Sequence, residues 1–179
     1  METIYLAGYH GVGKSIVGKL IASRKELKFI DTDLLISEKE NSSLEEIINL
    51  KGMDYYNNLG KYILKNNIEQ GMIVSISSDM PRDDENRKLI KTSGRVIYLR
   101  AKAETICENL KTDYTLRSEL KNNFSVFTVE KKMEEMKPYY EELANYIIDI
   151  DNKKINTVFR EALAIYNYAN KVKCHIYIK

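Results

Sequence analysis

Tryptophan is absent from this 179-residue chain, and cysteine and proline occur twice each. The cysteines, Cys107 and Cys174, form no CxxC pair. A disulfide scaffold is therefore excluded, and a reducing, cytoplasmic setting is expected. No apolar run reaches the roughly 20 residues of a membrane span. The N-terminus lacks a signal-peptide layout, because a strand-like run starts at Thr3. Charge of one sign is not in excess either. Lys+Arg 28 against Asp+Glu 26 leaves a formal +2, well short of the imbalance expected of a nucleic-acid-binding domain. There is no internal repeat, low-complexity tract or linker. What remains is ordinary globular usage, 44% hydrophobic and 30% charged, in a length that suits one domain with its own core.

Strand-like and helix-like segments alternate along the chain. Thr3–Ala7, Lys28–Ile30, Met72–Ile76, Arg95–Leu99 and Tyr146–Asp149 read as short buried strands. Between them, helical spacing marks Lys14 to about Arg24, with Ile16, Val17, Leu20 and Ile21 on the apolar face. A further helix begins at the capping box Ser43-Leu44-Glu45-Glu46 and continues its apolar face through Ile47, Ile48 and Leu50. Tyr55–Glu69 reads as a helix with Leu59, Tyr62, Ile63 and Ile68 inward. Asp84–Lys91, Ala103–Leu110, Thr128–Asn145 (bent at Pro138) and Ile155–Tyr168 are the remaining helices. Lys111–Ser125 is polar and weakly patterned, a loop or lid, and the tail Cys174–Ile178 alternates like an edge strand or frays. Such alternation predicts an α/β fold with a parallel sheet covered on both faces.

One motif carries the chemistry. Gly8-Tyr9-His10-Gly11-Val12-Gly13-Lys14-Ser15 fits G-x-x-x-x-G-K-[ST]. Glycines let successive backbone N–H groups turn toward phosphate oxygens, and the following helix offers its positive end to the same anion. Lys14 then reaches the β- and γ-phosphates, and Ser15 ligates Mg²⁺. With glycine near 7% of residues, a random chain of this length holds the pattern in roughly one case in two hundred. Its place between a strand and an amphipathic helix is the confirming context. ATP or GTP binding is expected, with His10 read as a spacer.

Asp31 and Asp33 flank Thr32 at the end of the second strand. Ligands of open parallel sheets bind outside such strand ends. Two carboxylates there can hold the outer shell of Mg²⁺ and accept a proton from an attacking hydroxyl. The competing reading makes Asp33 only the cap of the next helix.

With these residues in place, the chain resembles the shikimate kinase family of P-loop folds from Ile4 to about Leu163. The likeness rests on Gly8–Ser15, Phe29–Asp33, Ser43–Ile48 ending near Gly52, Glu85-Asn86-Arg87, Val96–Leu99, Leu116-Arg117 and Pro138–Ala144. It implies a three-layer fold with a five-stranded parallel sheet, a mobile lid at about 111–127 and a domain over 1–170, with 171–179 left as a tail. It also implies phosphoryl transfer from ATP to a small hydroxylated acid, by a monomer or weak dimer without nucleic-acid or membrane partners. By resemblance, Gly11, Val12, Gly13, Lys14, Ser15 and Ile16 hold ATP, Asn152 and Lys153 pack on adenine, and Ser15 with Asp31 serves the metal. Asp33 orients or deprotonates the acceptor, and Arg117 swings in to stabilise transferring charge.

Most of the departures fall on the acceptor side. Asn57 stands where the family has its first carboxylate-clamping arginine, and Met136 where it has the second. Ser77-Ser78-Asp79 replaces a glycine triplet, Ser118 a proline, and Asn109 an arginine near adenine, with Lys111 close by. Neither Asn nor Met reproduces a bidentate arginine–carboxylate pair. The expected substrate site, with Asp33, Asn57, Ser78, Asp79 and Met136, therefore takes an acceptor other than shikimate. The rival reading is a non-catalytic nucleotide-binding module. Tyr55-Tyr56 and Tyr139-Tyr140 read as half-buried packing with wet hydroxyls, Arg82 and Arg87 as exposed helix-start charges, and Cys107 as structural. Cys174 and His175 are too few to hold a metal.

Overall fold

The computed structural model describes residues 1–112 and 125–171. Most of the expected lid, including Leu116, Arg117 and Ser118, and nearly all of the tail lie outside the described residues.

Five parallel strands form one sheet in the order β2-β3-β1-β4-β5. They are β1 (Thr3–Ala7), β2 (Phe29–Asp31), β3 (Ile73–Ser75), β4 (Gly94–Arg100) and β5 (Tyr146–Asp149). Strand β1 lies at the centre, with Tyr5 registered on Val74 of β3 and Val96 of β4. Its loop thus emerges at the crevice where the strand order reverses, the place where such sheets bind ligands. The strands are apolar on both faces because both are covered. In β1, Ile4 and Leu6 join one core while Tyr5 and Ala7 join the other; Ile97 and Leu99 of β4 divide from Val96 and Tyr98 in the same way. That period of two sorts the helices into two layers.

One layer holds α1 (Lys14–Lys25), α6 (Ala103–Thr112) and α8 (Ile155–Lys171), through Val17, Ile106 and Ala162. The other holds α2 (Thr32–Glu40), α3 (Leu44–Lys51), α4 (Met53–Asn66), α5 (Asp84–Ser93) and most of α7 (Val126–Leu143), through Ile36, Ile47, Ile63, Ile90 and Tyr140. Among the described residues no helix is long and apolar enough to cross a membrane.

Several sequence expectations are corrected here. Helix α2 starts directly after Asp31 and is separate from the helix that begins at the Ser43 capping box; only its Thr32 and Ile36 are buried. In α1, Ile16 and Leu20 are exposed and the buried face is Val17, Gly18 and Ile21. Gly18 is needed there, since a Cβ would stand 2.4 Å from the Phe29 ring. Leu50 points to solvent, and Tyr62 is half exposed beneath the Lys39 ammonium rather than inward. Arg87 is buried, not exposed. Its guanidinium donates to the Pro81 and Arg82 carbonyls at 2.6 and 3.0 Å and pairs with Asp84 and Glu142. It braces the turn after β3.

Candidate active site

The loop Gly8–Gly13 leaves β1 with glycines at left-handed backbone angles, Gly8 at φ 140° and Gly11 at φ 81°. A Cβ on Gly8 would also meet the Leu99 carbonyl oxygen at 2.5 Å. Both strain and space therefore demand glycine there. Gly13 is the N-cap of α1, and Asn109 of α6 ties the loop down by donating to the Gly11 carbonyl at 2.8 Å.

Lys14 folds back over this loop. Its ammonium donates to the Gly8 and Tyr9 carbonyls at 2.8 and 3.1 Å and to Ser78 Oγ at 3.2 Å. Burial lowers its pKa, opposed by the charges of Asp33, Asp31 and Asp79. Ser15 Oγ donates to Asp31 Oδ2 at 2.5 Å. Asp31 Oδ1 accepts from the Asp33 amide at 3.0 Å and so caps α2. The helix cap is thus Asp31, which leaves Asp33 free of that task. Asp33 Oδ1 is buried and has no hydrogen-bond partner among the described residues.

Two cavities meet at this point. One, of about 1170 Å³, is lined by Gly11–Ile16, Lys19, Asp31, Asn109, Asn152 and Lys153. The other, of about 690 Å³, is lined by Tyr9, Ser43, Glu45, Ile48, Tyr56, Ser77, Asp79, Val129 and Lys132, among others. His10, Asp33, Leu34 and Leu110 line both and form the passage between them. Burial, followed by the Lys14 charge, lowers the His10 pKa and keeps its ring neutral near pH 7.

The loop glycines, the positive end of α1 and the buried Lys14 ammonium fit a polyphosphate. Ser15 and Asp31 fit a magnesium ion. Among the described residues no group of three or more His, Cys, Asp or Glu could hold a metal alone, so such an ion would need water and phosphate oxygens besides Ser15 and Asp31.

The structure brings together Gly11–Ile16, Asn152 and Lys153 in the larger cavity, and Asp33 and Asp79 in the smaller one. Three residues expected on the acceptor side do not line it. Met136 is 1% exposed in the core beside Tyr140. Asn57 is half-buried, and Asn86 donates to its backbone carbonyl at 3.4 Å. Ser78 turns its hydroxyl to Lys14 and to the Gly8 carbonyl. The expectation of wet tyrosine hydroxyls is also corrected for Tyr56 and Tyr140. Tyr56 donates to Ser77 Oγ at 2.5 Å and Tyr140 to the Ser78 carbonyl at 2.9 Å, both from buried positions. Together they fix the segment after β3 that carries Asp79.

Sequence reasoning missed Tyr9, Glu45 and Lys132 as cavity residues. Tyr9 lay inside a recognised motif as a variable position. The capping box located α3 without telling which way Glu45 faces.

A glycine-rich phosphate loop after the central strand of a parallel five-stranded sheet defines a P-loop kinase fold. A family model described as shikimate kinase matches residues 10–167. Shikimate kinase from Sulfurihydrogenibium sp. (strain YO3AOP1) is 34% identical over 164 residues, covering 91% of this chain and 96% of that protein. Shikimate kinase from Bacillus cereus (strain G9842) is 30% identical over 161 residues, covering 90% and 96%. The chain belongs to the shikimate kinase family. Among solved structures, shikimate kinase from Acinetobacter baumannii in complex with shikimate superposes with a TM-score of 0.79 at 22% identity, covering 94% of each chain. A gluconokinase from Sinorhizobium meliloti 1021 shares the fold more loosely, with a TM-score of 0.62 at 19% identity, covering 97% of each chain.

Proposed function

We propose that this chain is a magnesium- and ATP-dependent kinase that phosphorylates a hydroxyl of a small metabolite other than shikimate. When bound, Mg·ATP supplies the transferable phosphoryl group and the metal charge that offsets its oxygens. The chain supplies position and electrostatics. Lys14 neutralises phosphate charge. Asp31 holds the Ser15 hydroxyl in place beside the metal position. Ile16, Asn152 and Lys153 flank the nucleotide, and Asp33, in the passage between the cavities, accepts the acceptor proton. Arg117, outside the described residues, carries the proposed role of stabilising the charge in transfer.

One observation carries the choice of acceptor. The described residues lining the smaller cavity include three carboxylates (Asp33, Glu45 and Asp79), one lysine (Lys132) and no arginine. An acceptor carboxylate held there meets like charge, and Asn57 and Met136, the positions the family resemblance gives to clamping arginines, offer it no guanidinium. Truncating one partner of a buried charge pair costs about 2–5 kcal/mol, so losing two such partners removes tight binding of an acid.

The test is ADP release with Mg·ATP across a panel of hydroxylated acceptors, for the wild type, Lys14→Ala and Asp33→Asn. Acceptor-stimulated release that both variants lose supports the kinase. Tight nucleotide binding with no stimulated release by any acceptor would instead make the chain a nucleotide-binding module.

A further inference from the structure

We propose that the smaller cavity recognises a protonated amino alcohol, with an ammonium group and a hydroxyl on one compact skeleton. This rests on the kinase reading above and names its acceptor class. At about 690 Å³ the cavity has the size of a small-molecule site. Its charged walls are unequal. Asp33, Glu45 and Asp79 line it with a single lysine, Lys132, while the depressed basicity of His10 leaves its ring neutral.

Arg82 does not repair the balance. Its Nε donates to Asp79 Oδ1 at 3.1 Å, and its Nη2 reaches Glu135 at 3.4 Å. One guanidinium is shared between two carboxylates, so the trio keeps a net negative charge, and Arg82 is not among the residues lining the cavity.

The carboxylates also differ in place. Asp33 lines both cavities, whereas Glu45 and Asp79 line only the smaller one. The buried Asp33 Oδ1 has no hydrogen-bond partner among the described residues and stands at the junction with the phosphate loop. A hydroxyl donor satisfies it there. Glu45 and Asp79, which line only this cavity, then hold the ammonium, beside the aromatic surface of Tyr9 and Tyr56, which also favours a cation. A nucleotide in the neighbouring cavity adds further negative charge and strengthens the preference. In the transfer, the acceptor oxygen bonds to the γ-phosphorus and its proton passes to Asp33. ADP leaves with the electron pair of the broken P–O bond.

The test uses three six-carbon probes that differ at one end: glucamine (an amine), sorbitol (an alcohol) and gluconate (an acid). Each is titrated calorimetrically into the full chain saturated with Mg·ADP. Glucamine is expected to bind at least tenfold tighter than sorbitol, with gluconate weakest. Asp79→Asn and the exposed Glu45→Gln, which puts the fold at little risk, are each expected to shrink the glucamine advantage at least threefold. Binding of gluconate equal to or tighter than glucamine overturns the proposal. So does an advantage unmoved by both variants, or failure of all three probes to bind. Parallel ADP-release assays separate this from the kinase reading. The charge order in binding with no stimulated release by any acceptor keeps the amine preference and removes the kinase. Release driven by sorbitol or gluconate above glucamine does the reverse.

Discussion

The two cavities on either side of Asp33 are built from different materials. The larger is organised around a continuous stretch of backbone: loop glycines at left-handed angles, the amide end of α1, and a lysine pinned to two carbonyls. The smaller is made of side chains from separate elements, Asp33 on α2, Glu45 on α3, Tyr56 on α4, Asp79 after β3 and Lys132 on α7. Backbone geometry tolerates few substitutions, because a Cβ on Gly8 meets a carbonyl at 2.5 Å. Side chains on a preserved scaffold can be exchanged one at a time. A family can thus hold its phosphate donor fixed while its acceptor site drifts.

The sharpest way to break this comparison is at the shared wall. Asp33→Asn is expected to lower acceptor-dependent turnover about 10²- to 10⁴-fold, the usual contribution of a general base, while the calorimetric Mg·ATP affinity stays within a fewfold of wild type. Equal turnover would remove Asp33 from the chemistry. On the donor side alone, Lys14→Ala is expected to cost about 10²- to 10³-fold in kcat, as for loss of one preorganised charge-stabilising donor, and to weaken Mg·ATP binding as well.

The acceptor side can be probed through stability. Met136→Arg puts the residue implied by the resemblance into a site that is 1% exposed within an apolar core cluster. A loss of about 3–5 kcal/mol in urea unfolding is expected for a buried unpaired charge. Unchanged stability together with gained shikimate binding would show that Met136 reaches the cavity after all. Tyr56→Phe is expected to cost about 1 kcal/mol by removing the Ser77 hydrogen bond.

The smallest effect is on pH dependence. The His10 pKa is lowered from 6.5 in the fold, so below that value the unfolded chain binds protons the native chain does not. Stability contributed by the neutral ring is complete above about pH 6.5 and declines as pH falls toward the folded value. His10→Gln is expected to flatten that acid limb of the unfolding curve. An unchanged limb would show that His10 is not the group responsible.

The unequal materials also explain what the sequence made legible. The phosphate loop was readable because its chemistry requires fixed residue types at fixed spacing. The alternation of strands and helices gave the parallel sheet, since both faces of every central strand are covered. The bounds of helix α2 were not legible because it has little buried surface of its own, only Thr32 and Ile36. Ile16 and Leu20 misled because apolar spacing cannot tell a core face from one lining a cleft or left exposed. The resemblance assigns Asn57 and Met136 to acceptor-side positions, yet a shorter or unlike side chain at such a position need not reach the site. Their absence from the cavity wall follows from packing that no motif encodes.

The most direct measurement is a calorimetric titration of shikimate into the chain saturated with Mg·ADP. The expected outcome is no saturable heat through the low millimolar range, alongside normal binding of the nucleotide itself. A micromolar dissociation constant for shikimate would contradict an acceptor cavity whose described residues include three carboxylates and no arginine.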